Sequence, residues 1–230
     1  MVKTALITGA TRGIGKALAE KFAAEGFQLA LCARNVEAHQ AWAKQLGSHT
    51  LLLACDVSNT ANIKAFAAKV LQDFGCPDVL INNAGIFLPG QVHDEPEGTL
   101  EKLMAVNLYS AYHLCREIVP CMKERRRGHI FNISSVAGLR AYPNGGSYSI
   151  TKFAMQGLSR ALREELKPYN IRVTNVVPGA TYTDSWSGTD LPHSRFMTAE
   201  DIARCVWDAY SLSPNTVVEE IVLRPQLGDI

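Results

Sequence analysis

The chain has 230 residues, 47% of them hydrophobic and 20% charged, with 23 Lys+Arg against 22 Asp+Glu and a formal net charge of +1. This composition excludes a largely disordered chain, because there is ample apolar material for a core, of which a chain this long buries roughly 70–75% of its unfolded surface. The near-neutral balance argues against a nucleic-acid or polyanion binder, and no stretch approaches the ~20 apolar residues of a membrane span.

Six cysteines stand at positions 32, 55, 76, 115, 121 and 205, with no C-x-x-C pair. The expectation is reduced thiols, mostly buried, in a cytoplasmic protein. The first residues run straight into a strand-like segment, without the charged and apolar regions of a secretory leader.

Short apolar runs alternate with amphipathic stretches. Residues 4–8 read as a strand. Residues 13–25 read as a helix, with Ile14, Leu18 and Phe22 at four-residue spacing. The pattern continues with a strand at 28–33, a helix at 36–46, a strand at 50–55 and a helix at 60–74. A strand at 78–82 is followed by one long helix over 100–125, which Pro120 is expected to kink or split. Then come a strand at 129–133, a helix at 147–166, a strand at 171–177, a helix at 198–211 and a last strand at 217–223. The strands are continuous apolar runs, as expected where helices cover both faces of a parallel sheet. The order predicts one doubly wound α/β domain of the Rossmann type over residues 1–230, with about seven strands. An irregular insert over 179–197 carries Tyr182, Trp186 and Phe196, which look exposed; it would lie where such sheets bind ligands.

Thr8-Gly9-Ala10-Thr11-Arg12-Gly13-Ile14-Gly15 follows the first strand and opens the first helix. Gly9 permits a tight turn, Gly13 a close approach of backbone to a pyrophosphate, and Gly15 close packing of helix on strand. The helix N-terminus then offers N–H groups and positive dipole to phosphates. The spacing, T-G-x-x-x-G-x-G, differs from the commonest dinucleotide fingerprint. The second strand ends in Cys32-Ala33-Arg34-Asn35, where an NAD site would place an acid for the ribose hydroxyls. Arg34 and Arg12 instead suit a 2′-phosphate, so NADP(H) is expected over NAD(H).

Tyr148 and Lys152 stand four apart on one predicted helix, hence on one face. An ammonium beside a phenol lowers its pKa and makes it a usable acid or base for a carbonyl–alcohol pair. Ser135, at the end of the preceding strand, could hold the substrate oxygen as charge develops.

The chain resembles the short-chain dehydrogenase/reductase family over nearly its whole length. The resemblance is carried by the segment from Thr8 to Gly15, Asp56-Val57, Asn82-Asn83-Ala84-Gly85, Asn107, Ser135, Tyr148-x-x-x-Lys152 and Pro178-Gly179-x-x-x-Thr183. It implies that Tyr148 is the acid/base, that Lys152 activates it and binds the nicotinamide ribose, that Ser135 orients the carbonyl, and that Asn107 helps hold a relay water. It further implies adenine contacts at Asp56 and Val57, a ribose wall at Asn83, Ala84 and Gly85, and nicotinamide or pyrophosphate contacts around Pro178, Gly179, Thr181 and Thr183. The arginine pair is similar to that of NADP-preferring members.

Three substrate readings follow: a general reductase of small ketones or aldehydes, a 3-oxoacyl-carrier-protein reductase, and an enzyme similar to bacterial sepiapterin reductases. Residues 181–186 and the tail 217–230 resemble the last group, and Trp186 could stack on a flat heterocycle. Arg125-Arg126-Arg127 could dock an acidic carrier, although cations at a helix end also favour the dipole. A reading of another class, an idle nucleotide sensor or scaffold, conflicts with retention of both Tyr148 and Lys152. The six histidines show no metal-ligand spacing, so no metal is expected. The expected partners are a small-molecule carbonyl substrate, no nucleic acid and no membrane. The resemblance implies a homodimer or homotetramer pairing the helices at 100–125 and 147–166.

Overall fold

In a computed structural model, which describes residues 2–186 and 188–230, every strand finds its neighbours in a single parallel sheet. The strands are β1 (Thr4–Thr8), β2 (Gln28–Ala33), β3 (Thr50–Ala54), β4 (Val79–Asn82), β5 (Gly128–Ile133), β6 (Ile171–Pro178) and β7 (Glu220–Leu223). They lie in the order β3-β2-β1-β4-β5-β6-β7. The helices are α1 (Gly13–Ala24), α2 (Gln40–Gln45), α3 (Thr60–Phe74), α4 (Thr99–Met104), α5 (Ser110–Glu124), α6 (Gly146–Leu166) and α7 (Ala199–Ser211).

Alternation along the strands builds two apolar layers. Ala5, Ile7, Leu29 and Leu31 point to one face, where Leu18 and Phe22 of α1 and Ile202 and Val206 of α7 cover them. Leu6, Ala30 and Leu80 point to the other, against Phe66 of α3, Ile118 of α5 and Leu162 of α6. This is the doubly wound Rossmann-type fold expected from the alternation of elements. The strand order switches between β1 and β4, with β2 and β3 added on one side and β5 to β7 on the other, and such sheets bind ligands in the crevice beyond the carboxyl ends at that point.

Four expectations need correction. The long helix over 100–125 is interrupted by a π-helical turn at Ala105–Tyr109, and Pro120 remains inside α5. Pro120 lies on the exposed face of α5, as does Arg116, the residue whose carbonyl a proline at 120 cannot bond. The helix expected from residue 36 begins only at Gln40, after a 3₁₀ turn at Glu37–His39. Of the three insert aromatics, Phe196 is buried at 7% exposure. It packs against Trp186, with centroids 4.9 Å apart. Finally, the cysteines are not all reduced: Cys76 and Cys121 form a disulfide, with Cα atoms 5.7 Å apart. The loop before β4 meets the last turns of α5 there, and Arg125 of the arginine run donates to the carbonyls of Cys76 and Pro77. Cys32, Cys55, Cys115 and Cys205 are free. Ser187, inside the predicted insert, and Met1 lie outside the described residues. Among those described, no helix is long and apolar enough to cross a membrane.

Candidate active site

The glycine-rich turn is built on left-handed backbone, with φ of +64° at Gly9 and +50° at Gly13, conformations that other residues adopt at a cost. A Cβ at Gly15 would collide with the Gly9 carbonyl and the Asn83 amide, so Gly15 is needed for close packing of helix on strand. Asn83 holds the turn from behind. Its Nδ2 donates to Thr8 O at 2.9 Å and Gly9 O at 3.1 Å, while its backbone N–H and that of Ala84 donate to Thr8 Oγ1, each at 3.0 Å. No side chain caps the first turn of α1, so its N–H groups remain open to an anion.

One cleft of about 1440 Å³ runs over the carboxyl ends of the strands. It gathers almost every residue singled out in the sequence: Gly9, Thr11, Arg12, Gly13, Ile14 and Gly15 at the turn, and Arg34, Asp56 and Val57 at the ends of β2 and β3. Asn83, Ala84 and Gly85 follow β4. Ser135, Tyr148 and Lys152 line its middle, and Pro178, Gly179, Thr181 and Thr183 its far wall. Arg12 pairs with Asp184 of the insert at 3.2 Å, across the turn. Ser58 donates to Asp56 through its hydroxyl at 2.7 Å and its backbone N–H at 3.0 Å, and holds that carboxyl below the ordinary range; the nearby Arg34 adds to this.

Asn107 is the exception. It is fully buried in the π turn and does not line the cleft. Its Oδ1 accepts from Ile86 N at 2.8 Å, and its Nδ2 donates to Ile86 O at 2.9 Å and Thr151 Oγ1 at 3.1 Å. Both amide protons are therefore engaged, and the side chain ties the segment after β4 to α6.

The Tyr148 phenol is not lowered as expected. Burial pushes it up to about 12, a hydrogen bond with Ser135 pulls the other way, and Tyr142 adds to the rise. Lys152 is itself buried, its ammonium pushed down to about 8. Its Nζ donates to Ile133 O at 3.1 Å and lies 5.6 Å from the Tyr148 ring centre. Desolvation is the largest influence on the phenol, and the Lys152 ammonium is not among the groups that shift it.

Sequence reasoning missed Phe87 and Tyr142, which line the same cleft as Trp186. Phe87 stands edge-on to Tyr148, with centroids 5.0 Å apart. The available signal was position alone, since Phe87 lies two residues beyond Asn83-Ala84-Gly85. His39 also lines the cleft, whereas His93 and His193 do not. The arginine run lies at the opposite, amino ends of the strands. Arg127 pairs with Asp78 at 2.9 Å and Arg126 donates to Pro168 O at 2.7 Å, so these cations hold loops together.

This fold and cleft define a short-chain dehydrogenase/reductase. Residues 3–191 match the family described as short chain dehydrogenase, and the chain belongs to it, an NAD(P)-dependent oxidoreductase. Among curated relatives, the chain is 35% identical to the sepiapterin reductase of Chlorobaculum tepidum, covering 98% of this chain and 97% of that protein. It is 34% identical to the mouse protein named dehydrogenase/reductase SDR family member 7B, over 89% of this chain and 69% of that one. Among solved structures, an alcohol dehydrogenase from the archaeon Thermococcus sibiricus complexed with 5-hydroxy-NADP superposes with a TM-score of 0.90 at 31% identity, over 98% and 97% of the two chains. A metagenomic short-chain oxidoreductase in complex with NADP gives 0.85 at 35% identity, over 97% of both.

Proposed function

We propose that this protein is an NADPH-dependent reductase of a ketone or aldehyde carbonyl, acting on a flat heterocyclic ketone of the sepiapterin kind. The observation that carries the reading is the grouping of Ser135, Tyr148 and Lys152 in the cleft of the glycine-rich turn. The phenol is protonated at neutral pH, the state from which a proton can be given to a carbonyl oxygen.

The residues fit a dinucleotide phosphate. The turn has no Cβ where Gly15 meets Gly9, and α1 opens its N–H groups toward the cleft. Arg12 and Arg34 would hold the 2′-phosphate, because no acid ends β2. Asp56 and Val57 would take the adenine, Lys152 the nicotinamide ribose, and Thr181 and Thr183 the carboxamide and pyrophosphate. The cofactor supplies the hydride. Tyr148 gives its phenolic proton to the carbonyl oxygen, while the Ser135 hydroxyl hydrogen-bonds the same oxygen as charge builds on it.

The presence of Phe87, Tyr142 and Trp186 in the cleft lining supports a flat ring as substrate, as does similarity to a sepiapterin reductase. A carrier-bound thioester loses its one support, because the arginine run faces away from the cleft. Assembly as a homodimer or homotetramer across α5 and α6 fits the exposure of Tyr112, Ile150, Phe153 and neighbouring Tyr109, each between 42% and 48%. Light scattering on a sizing column tests it, and a monomer refutes it. The activity is tested by following NADPH and NADH oxidation with sepiapterin, a diketone, an aromatic aldehyde and an acetoacetyl thioester. Fastest NADPH oxidation with sepiapterin is the expected result. NADH preference overturns the arginine reading, and thioester preference the substrate.

A further inference from the structure

The catalytic helix begins without any of the usual local devices. Its N-cap is Gly145, no side chain of its own segment caps it, and its first turn holds no acid. Yet it spans 21 residues and carries both Tyr148 and Lys152. A helix of that length leaves four N–H groups unpaired at its start and a positive dipole end beside them.

Glu95 arrives from 52 residues away to serve this end. Its Oε1 accepts from the backbone N–H of Ser147 at 2.9 Å, and its Oε2 accepts from the Ser147 hydroxyl. Ser147 is 3% exposed and immediately precedes Tyr148. The carboxylate sits in a slot that two glycines leave open. A Cβ at Gly90 would meet Glu95 Cγ at 2.6 Å, and one at Gly146 would collide with Glu95 Oε1. The same loop is clamped a second time: Gly90 bridges Gly145 in parallel, and Gly90 N donates to Asn144 O at 3.1 Å.

We infer that Glu95 is a positioning residue for the reaction: its bidentate grip on Ser147 fixes the first turn of α6, and with it the place of the Tyr148 phenol relative to Ser135. Lys152 is anchored independently, by Nζ to Ile133 O and by the Ser134 hydroxyl on its own carbonyl. The glycine-rich turn is held by Asn83, well away from this contact. Loss of Glu95 therefore disturbs the proton donor while leaving the nucleotide cradle in place. The effect appears in kcat and not in cofactor affinity. A displacement of about 1 Å at a reacting group slows turnover on the order of 10²-fold.

The inference rests on Tyr148 as the acid, so Tyr148→Phe is run alongside. Glu95→Ala, Glu95→Gln and Ser147→Ala are compared for kcat with the best carbonyl substrate and for NADPH dissociation constant by fluorescence. Glu95→Ala should lower kcat by about 10–100-fold with NADPH affinity unchanged. Glu95→Gln still accepts from Ser147 N and can donate to its hydroxyl, so it should recover most of the rate. Ser147→Ala keeps the backbone bond and should fall between. Unaltered kcat in Glu95→Ala overturns the inference, as does a parallel loss of NADPH binding, which would mark general damage. A Gln variant as slow as Ala also overturns it. If Glu95→Ala fails to fold, Ser147→Ala decides, and wild-type kcat there refutes the grip. Retained activity in Tyr148→Phe instead refutes the assignment of the acid, whatever Glu95 does.

Discussion

Replacing Lys152 by Met should stabilise the protein while abolishing its turnover. Lys152 is 5% exposed, and burial takes its ammonium from 10.5 down to about 8. The unfolded chain therefore holds a proton more tightly than the folded one, by about 3 kcal/mol. The sign follows from proton binding. Below pH 8 both states are protonated and the folded state carries the full penalty. Between about 8 and 10.5 the folded lysine loses its proton first and the penalty shrinks, to about 2 kcal/mol at pH 9 and below 1 at pH 10. Met fills similar volume without charge, but leaves Ile133 O without the donor it has at 3.1 Å, which costs about 1 kcal/mol. The net gain at pH 7 is about 2 kcal/mol. A 230-residue domain has an unfolding entropy of about 0.5 kcal/mol/K, so Tm should rise by about 4 °C. Scanning calorimetry on protein without added nucleotide, at pH 7 and pH 10, reads both the gain and its disappearance. A lower Tm than wild type at pH 7, or a gain that persists unchanged at pH 10, refutes the reasoning.

Tyr148→Phe should cut kcat by about 10²–10⁴ with NADPH affinity retained, read by steady-state kinetics and fluorescence titration. His129 is fully buried and its Nε2 bonds Thr174 Oγ1 at 2.8 Å, while that hydroxyl donates to Val218 O and Nδ1 has no partner. Burial, with Arg172 adding to it, pushes the imidazole well below 6.5, so the folded state refuses a proton that the unfolded state accepts. Stability to urea should therefore fall as pH drops below about 6.5 and stay level from there to about pH 8, where Lys152 begins to titrate; a flat midpoint from pH 7.5 to 5 contradicts this. The disulfide between Cys76 and Cys121, 45 residues apart, should contribute about 3–4 kcal/mol by restricting the unfolded chain. Thiol titration in denaturant should return four thiols before reduction and six after, with a lower Tm in reductant.

The fold was legible because its signals are local and repeated. Apolar runs such as Leu29 to Cys32 read as strands covered on both faces once they alternate with longer amphipathic stretches, and the Ile14, Leu18, Phe22 spacing fits a helix of that length. The cleft was legible because strand ends converge: residues placed after β1, β2, β3, β4 and β5 must meet at one edge of a parallel sheet. What escaped depends on contacts between distant segments. The π turn exists beside Asn107, whose amide bridges Ile86 and Thr151, and no periodicity in residues 100–125 announces that. The disulfide needed the approach of Cys76 to the end of α5, which spacing does not encode. The phenol of Tyr148 depends on how deeply the ring is buried, which an i, i+4 rule cannot show.

The two edges of the sheet divide the work of the molecule. At the amino ends, Asp78 accepts from Thr4 N at 3.0 Å and pairs with Arg127, Arg125 bonds the loop carbonyls, and the disulfide closes the same region. These contacts are satisfied and contribute to stability alone. At the carboxyl ends, the structure tolerates features that cost free energy: a desolvated phenol and a buried ammonium. Substitutions at the first edge should move Tm without touching turnover. Those at the second should trade one against the other, because the groups that destabilise the fold are the groups that meet the substrate.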